Sequence, residues 1–156
     1  MSARTPSEPH PLVAPIQQRV APTAIPRDRR VFIGVVVLAA LSVGGAIISV
    51  AGGLSSTIWE AMGPTARLSI PIPMILAQLA AAWLAAGQRR RPALLGSALL
   101  AVVEPICIIS GFYDGGYSDP DRSPLHVAYQ LLFVATIAVV GVLAALRFIS
   151  LTRRRG

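Results

Sequence analysis

The sequence predicts an all-α membrane protein, a four-helix transmembrane bundle with both termini on the cytoplasmic side and a disordered tail in front. Three observations predict it. Four apolar runs have the roughly 20 residues needed to cross a hydrocarbon core of about 30 Å. Arginines gather at alternate ends of those runs. A proline-rich polar leader precedes the first of them. The 156 residues are 54% apolar with a mean hydropathy of +0.64, outside the usual soluble range.

Residues 1–30 carry Pro6, Pro9, Pro11, Pro15, Pro22 and Pro26, too closely spaced for helix and without apolar periodicity, so a disordered cytoplasmic tail is expected. The membrane domain then occupies 31–147, and 148–156 forms a second basic cytoplasmic tail. Span one is 31–51, uncharged throughout. Ser49, Val50 and Ala51 resemble a signal-peptide cleavage site, but the apolar run exceeds the roughly 7 to 15 residues of a signal core, so a retained span is the better reading. Span two is 68–87. Pro71 and Pro73 lie in its first turns, so its outer end is expected to kink or leave the helix. The tight connection Gln88 to Arg91 leads through Pro92 into span three, 92–112, and span four covers 126–146. Gly52 to Ala66 and Tyr113 to Leu125 are the polar loops, and Trp59 in the first suits a headgroup region.

Orientation follows from charge. Arg4, Arg19, Arg27, Arg29 and Arg30 precede span one, Arg89, Arg90 and Arg91 join spans two and three, and Arg147, Arg153, Arg154 and Arg155 follow span four. Only Arg67 and Arg122 fall on the other side, so the positive-inside bias puts both termini in the cytoplasm. The lipid bilayer is the expected partner, with anionic headgroups at the arginine clusters. The net charge of +7 does not signal nucleic-acid binding, because the arginines cap apolar segments and build no basic face with aromatics between. Every Lys or Arg position is Arg and the chain has no Asn, a composition that with its Ala and Pro load points to a GC-rich genome; the expected location is a bacterial plasma membrane, and the architecture resembles that of small actinobacterial membrane proteins.

One residue breaks the apolar pattern. Glu104 sits near the centre of span three, where a carboxylate costs about 2.5 to 3.5 kcal/mol on insertion scales and must be neutral, paired or facing a polar cavity. At 1.5 Å per residue from the cytoplasmic end of each span, Ser42, Gln78, Glu104 and Thr136 all reach a depth of roughly 14 to 17 Å. Each span thus offers one polar group to a candidate site for a substrate or proton, with the Gln78 amide best placed to bond Glu104. The competing reading makes these groups interhelical glue or local backbone partners. Ser97, Glu104 and Gly111 share one line of the helix, a small-residue face that lets a neighbour approach. Pro105 strips the Ala101 carbonyl of its usual donor, a loss that a protonated Glu104 or a water could make good. Small residues four apart, such as Gly141 and Ala145, suit close packing within the chain or in a homo-oligomer.

The outer loop collects Asp114, Asp119 and Asp121, weak candidates for a hard cation whose spacing departs from a calcium-binding hand; a solvated turn is favoured and no metal is assigned. His126 stands beside that loop as an interface residue. The one cysteine, Cys107, excludes an internal disulfide and a cysteine-rich metal site. No phosphate loop, nucleophile elbow or zinc helix is present, and no cofactor is expected.

In architecture alone the chain resembles small four-span bacterial membrane proteins such as the DoxX-like group, with no motif to carry residues over. The small multidrug resistance transporters also combine four spans with a membrane acid, but theirs lies in span one, which has none here. Two functions from different classes follow: a non-catalytic accessory or interaction subunit of the membrane that forms a homo-oligomer or engages a membrane partner protein, and a small proton-coupled carrier of a small or lipophilic solute that uses Glu104. A membrane enzyme finds no second acid or base in the layer.

Overall fold

A computed structural model describes residues 25, 27–63, 68–113 and 123–153. All regular structure among them is helical: α1 Arg30–Ala51, α2 Ile58–Ala61, α3 Ile72–Ala86, α4 Arg90–Tyr113 and α5 Pro124–Arg153. Three helices, α1, α4 and α5, are long and apolar enough to cross a membrane, and α3 is a shorter apolar helix of 15 residues. Their apolar character continues round the outward faces, where Ile33 and Ile47 of α1, Trp83 of α3, Leu95 and Ile106 of α4 and Val139 of α5 are exposed. A helix apolar on all sides belongs in lipid or in a large core, and these faces are compatible with a membrane location.

The helix neighbours close on themselves. α1 touches α3 and α5, α3 touches α4, and α4 makes its most extensive contact with α5. The core is layered along the helices. Val31 and Val35, Ala81, Ala82 and Ala85, Leu100, and Val140 and Ala144 form one layer drawn from all four long helices. Leu38, Ile70, Ile75, Phe133 and Ile137 form a second. A third joins Ala93 and Leu151 to Ile25, a residue of the leader that is nonetheless buried.

The helix ends depart from the expected spans for local reasons. α3 starts at Ile72 and not at 68, because Pro71 takes the extended backbone of a helix flank (φ −56°, ψ 140°) and Pro73 can sit only in the first turn. α5 starts at Pro124, with Ser123 accepting the backbone N–H of His126, and no breaker stops it at Leu146, so it runs on to Arg153. Its 30 residues measure about 45 Å. α1 ends at Gly52 and Gly53, and Gly53 takes the left-handed φ of 72° that only glycine adopts freely.

The first loop contains α2. Thr57 caps it by accepting from the Glu60 N–H at 3.2 Å, and the Glu60 carboxylate reaches back to accept from the Ser56 N–H at 2.8 Å and its hydroxyl at 2.6 Å. This is the reciprocal arrangement of a capping box, displaced by one residue. The Ser56 bonds hold the exposed Glu60 carboxyl below the usual carboxylate range.

Candidate functional site

The interior polar groups separate into two seams. In the first, α3 and α4 lie close because Gly96 has no side chain: a Cβ there would stand 2.3 Å from the Ala81 carbonyl oxygen. The three-residue connection between these helices makes them neighbours, and Gln78 donates from Nε2 to Oε1 of Glu104 at 3.2 Å. Glu104 is fully buried and Gln78 nearly so. On its other side, α4 presses against α5, where Gly141 leaves room: a Cβ there would meet the Glu104 Cβ at 3.1 Å. Ser97 and Glu104 are both enclosed, and the Gly111 carbonyl accepts from Gln130 Nε2 of α5 at 3.3 Å, so the line of residues picked from the sequence is the buried face of α4.

Glu104 is only half satisfied. Its Oε2 atom is buried and has no hydrogen-bond partner among the described residues. The carboxyl group extends across to α3, where Gln78 meets it, and does not fold back along α4 toward the Ala101 carbonyl, for which the sequence offered a protonated Glu104 or a water as partner. A cavity of about 140 Å³ opens between α3 and α4 on the same level. Gln78 is its one polar lining residue, and Met74, Ala81, Leu99, Leu100 and Val103 make up most of the rest.

In the second seam, Ser42 of α1 accepts the backbone N–H of Ile70 at 2.6 Å. Residues 68–71 are the non-helical lead-in that the two prolines impose on α3. This backbone lies inside protein: Leu68 and Ile70 are buried, the Ser69 hydroxyl donates to the Ala61 carbonyl, and the Ile72 N–H donates to the Met62 carbonyl at 3.2 Å. Gly45 makes the seat, since a Cβ there would fall 1.9 Å from the Leu68 carbonyl oxygen.

Of the four groups placed in one layer by depth, the structure joins Gln78 to Glu104 and gives the other two different partners. Ser42 holds the lead-in, and the Thr136 hydroxyl donates to the Leu132 carbonyl of its own helix at 2.9 Å. Equal depth does not fix azimuth. The acids Asp114, Asp119 and Asp121 lie outside the described residues; among those described, no group of three or more His, Cys, Asp or Glu comes together as a metal site. His126 is buried at the N-terminal end of α5, its Nδ1 3.1 Å from the Ser123 hydroxyl.

Three interior contacts had no counterpart in the sequence reading. The Tyr129 hydroxyl of α5 donates to the Leu41 carbonyl of α1, beside Gly44 and Gly45. Gln130 is buried, and its polarity inside an apolar run was a usable signal. Arg147, read as a topological charge, is only 6% exposed.

Comparison with known proteins finds no matching family model, no similar curated protein and no similar solved structure. Function is therefore argued from geometry alone.

Proposed function

We propose that the chain is a multi-pass integral protein of a bacterial plasma membrane, in which α1, α3, α4 and α5 cross as a four-helix bundle with both termini cytoplasmic, and that it serves as a non-catalytic accessory or interaction subunit. The observation that carries the functional part is the enclosure of Glu104. Its stem is covered by Gly141, its Oε1 accepts from Gln78, and the cavity that Gln78 helps to line between α3 and α4 presents only apolar surface. Such an acid works as an interhelical tie, worth about 0.6 kcal/mol on average for hydrogen bonds between membrane helices and up to about 1.7. The four-span reading is supported by length. The helical part of α3 covers about 22 Å, and the lead-in 68–71 adds up to about 13 Å, enough together for a core of about 30 Å.

Topology is tested by single cysteines in a Cys107→Ser background. Ser56→Cys and Ser118→Cys should react with an impermeant thiol reagent in intact cells, and Gln88→Cys should not; the reverse labelling overturns the orientation.

A second reading, a proton-coupled carrier, draws on one specific observation: Glu104 Oε2 is enclosed without a partner beside a cavity that Gln78 lines. In proteoliposomes under an imposed pH gradient, the accessory reading expects no proton uptake above that of empty liposomes, with wild type and Glu104→Gln behaving alike. Gradient-driven uptake by wild type that a folded Glu104→Gln protein lacks would replace it with the carrier.

A further inference from the structure

We propose that the junction of the α1 start with the last turns of α5 is a binding site for the phosphate headgroup of an anionic phospholipid. A cavity of about 150 Å³ lies there, with Asp28, Arg30, Arg147 and Ser150 on its polar side. Its other wall is apolar, made by Val31, Leu143 and Leu146. The combination suits an amphiphile. A phosphate would sit toward the two guanidiniums, and the first carbons of an acyl chain would continue over Leu143 and onto Leu146, which is exposed on the outside of α5.

Several features set this place apart from an ordinary solvated charge cluster. Arg147 is 6% exposed, so its guanidinium is held inside the cavity wall and does not wave in solvent. A planar guanidinium fixed in this way matches a phosphate bidentately, where a mobile surface arginine contributes only its charge. α1 begins here, and the Asp28 carboxylate just ahead of it accepts the backbone N–H of Arg30, its first residue, so the positive end of the helix is already capped. Asp28 is the acid that lines the cavity, and its Oδ1 is engaged by the Arg30 N–H at 3.1 Å. Two arginines against one carboxylate leave the lining net positive, which favours an anion. Basic pockets between membrane helices on the cytoplasmic side bind anionic headgroups in general, and the surface of such a membrane concentrates those lipids.

The proposal rests on the membrane-embedded reading and is tested apart from it. The full-length protein is extracted from membranes in a mild detergent, and its lipid adducts and melting temperature are followed by native mass spectrometry and a thermal unfolding assay. The probes are phosphatidylglycerol, phosphatidylcholine and inorganic phosphate. Phosphatidylglycerol should bind in a one-to-one complex and raise the melting temperature, phosphatidylcholine should bind at least tenfold more weakly, and inorganic phosphate should give no stabilisation at matched concentration. Arg147→Gln should weaken phosphatidylglycerol binding by about tenfold, the loss of one charge-assisted bond. Arg30→Gln, at an exposed position, should weaken it several-fold without harming the fold, and decides the matter if Arg147→Gln does not fold. Arg91→Gln, exposed at another arginine cluster, should change nothing. Equal losses in all three variants would reduce the effect to bulk charge and overturn the site. Stabilisation by inorganic phosphate equal to that by phosphatidylglycerol would overturn the lipid as its source. A protein that leaves the membrane fraction without detergent sinks the embedding itself, whereas one that needs detergent, folds and still ignores phosphatidylglycerol sinks only this proposal.

Discussion

Ser42 and Glu104 are both fully buried polar side chains on apolar helices, and they solve that problem differently. Ser42 is a small neutral group with one strong bond, taken from a backbone N–H that has nowhere else to go because Pro71 and Pro73 keep Ile70 out of the helix. Glu104 is a titratable group with one bond to a side chain and one oxygen left over. The first seam is fixed by backbone geometry and admits few alternatives. The second is a side-chain contact between two rigid helices, and it keeps hydrogen-bonding capacity in reserve. A buried polar group thus has a single structural reading when the backbone depends on it, whereas the unused capacity of Glu104 is what the carrier reading draws on against that of an interhelical tie.

The sharpest way to break the comparison is to remove the glycine beneath each seam. Gly45→Ala puts a methyl group into the Leu68 carbonyl, and Gly96→Ala puts one into the Ala81 carbonyl; both neighbours are backbone and cannot swing away. Each should cost about 3 kcal/mol, the upper end of overpacking penalties, seen as a lost or strongly lowered melting transition in detergent. If Gly96→Ala were tolerated while Gly45→Ala were not, the α3–α4 seam would be looser than described.

Next come the polar groups themselves. Ser42→Ala leaves a buried N–H without its acceptor and should cost about 1 to 3 kcal/mol. Glu104→Gln keeps shape and an acceptor for Gln78, so it should cost about 1 kcal/mol or less, and a double-mutant cycle with Gln78→Ala should give a coupling of about 0.6 to 1.7 kcal/mol. A larger loss at Glu104 than at Ser42 would invert the ranking. Glu104→Lys, by contrast, should destabilise strongly, since it puts a cation at that depth with no acid described beside it.

The smallest effect belongs outside both seams, at α2. The Glu60 carboxyl is held below its ordinary value by Ser56, so its contribution to the cap is present at neutral pH and is lost as pH falls through that lowered value. In a Trp83→Phe background, fluorescence of the exposed Trp59 should change as the medium is acidified through that lowered value, and Glu60→Gln should abolish the change. An identical titration in Glu60→Gln would assign it elsewhere.

How much of this was legible in the sequence depended on the kind of contact. Apolar runs of spanning length gave α1, α4 and α5 outright, and the prolines correctly marked the lead-in of α3 as non-helical. The end of α5 was misjudged because charge at Arg147 looked like a boundary, although nothing near it breaks a helix. Gln78 and Glu104 were paired successfully because a tight turn forces α3 and α4 to be neighbours, which converts equal height into contact. Ser42 and Thr136 had the same height without that constraint, and rotation about the helix axis sent them elsewhere. The Tyr129 bond to Leu41 and the burial of Arg147 arise from how α5 lies on α1, which no local pattern encodes.

The bond between Ser42 and Ile70 also has a consequence in time. On the four-span reading proposed above, α1 emerges before α3 during synthesis and can enter the membrane alone, since the backbone groups inside it are satisfied within one helix. The lead-in to α3 cannot. The Ile70 N–H and the carbonyl of Leu68 need the groove that Ser42 and Gly45 provide, so the outer half of this segment can be inserted stably only against an α1 that is already in place. α3 is thus a dependent segment whose insertion is templated by its predecessor, and a chain begun after residue 52 should translocate or aggregate it, while the same chain supplied with α1 in trans should recover it.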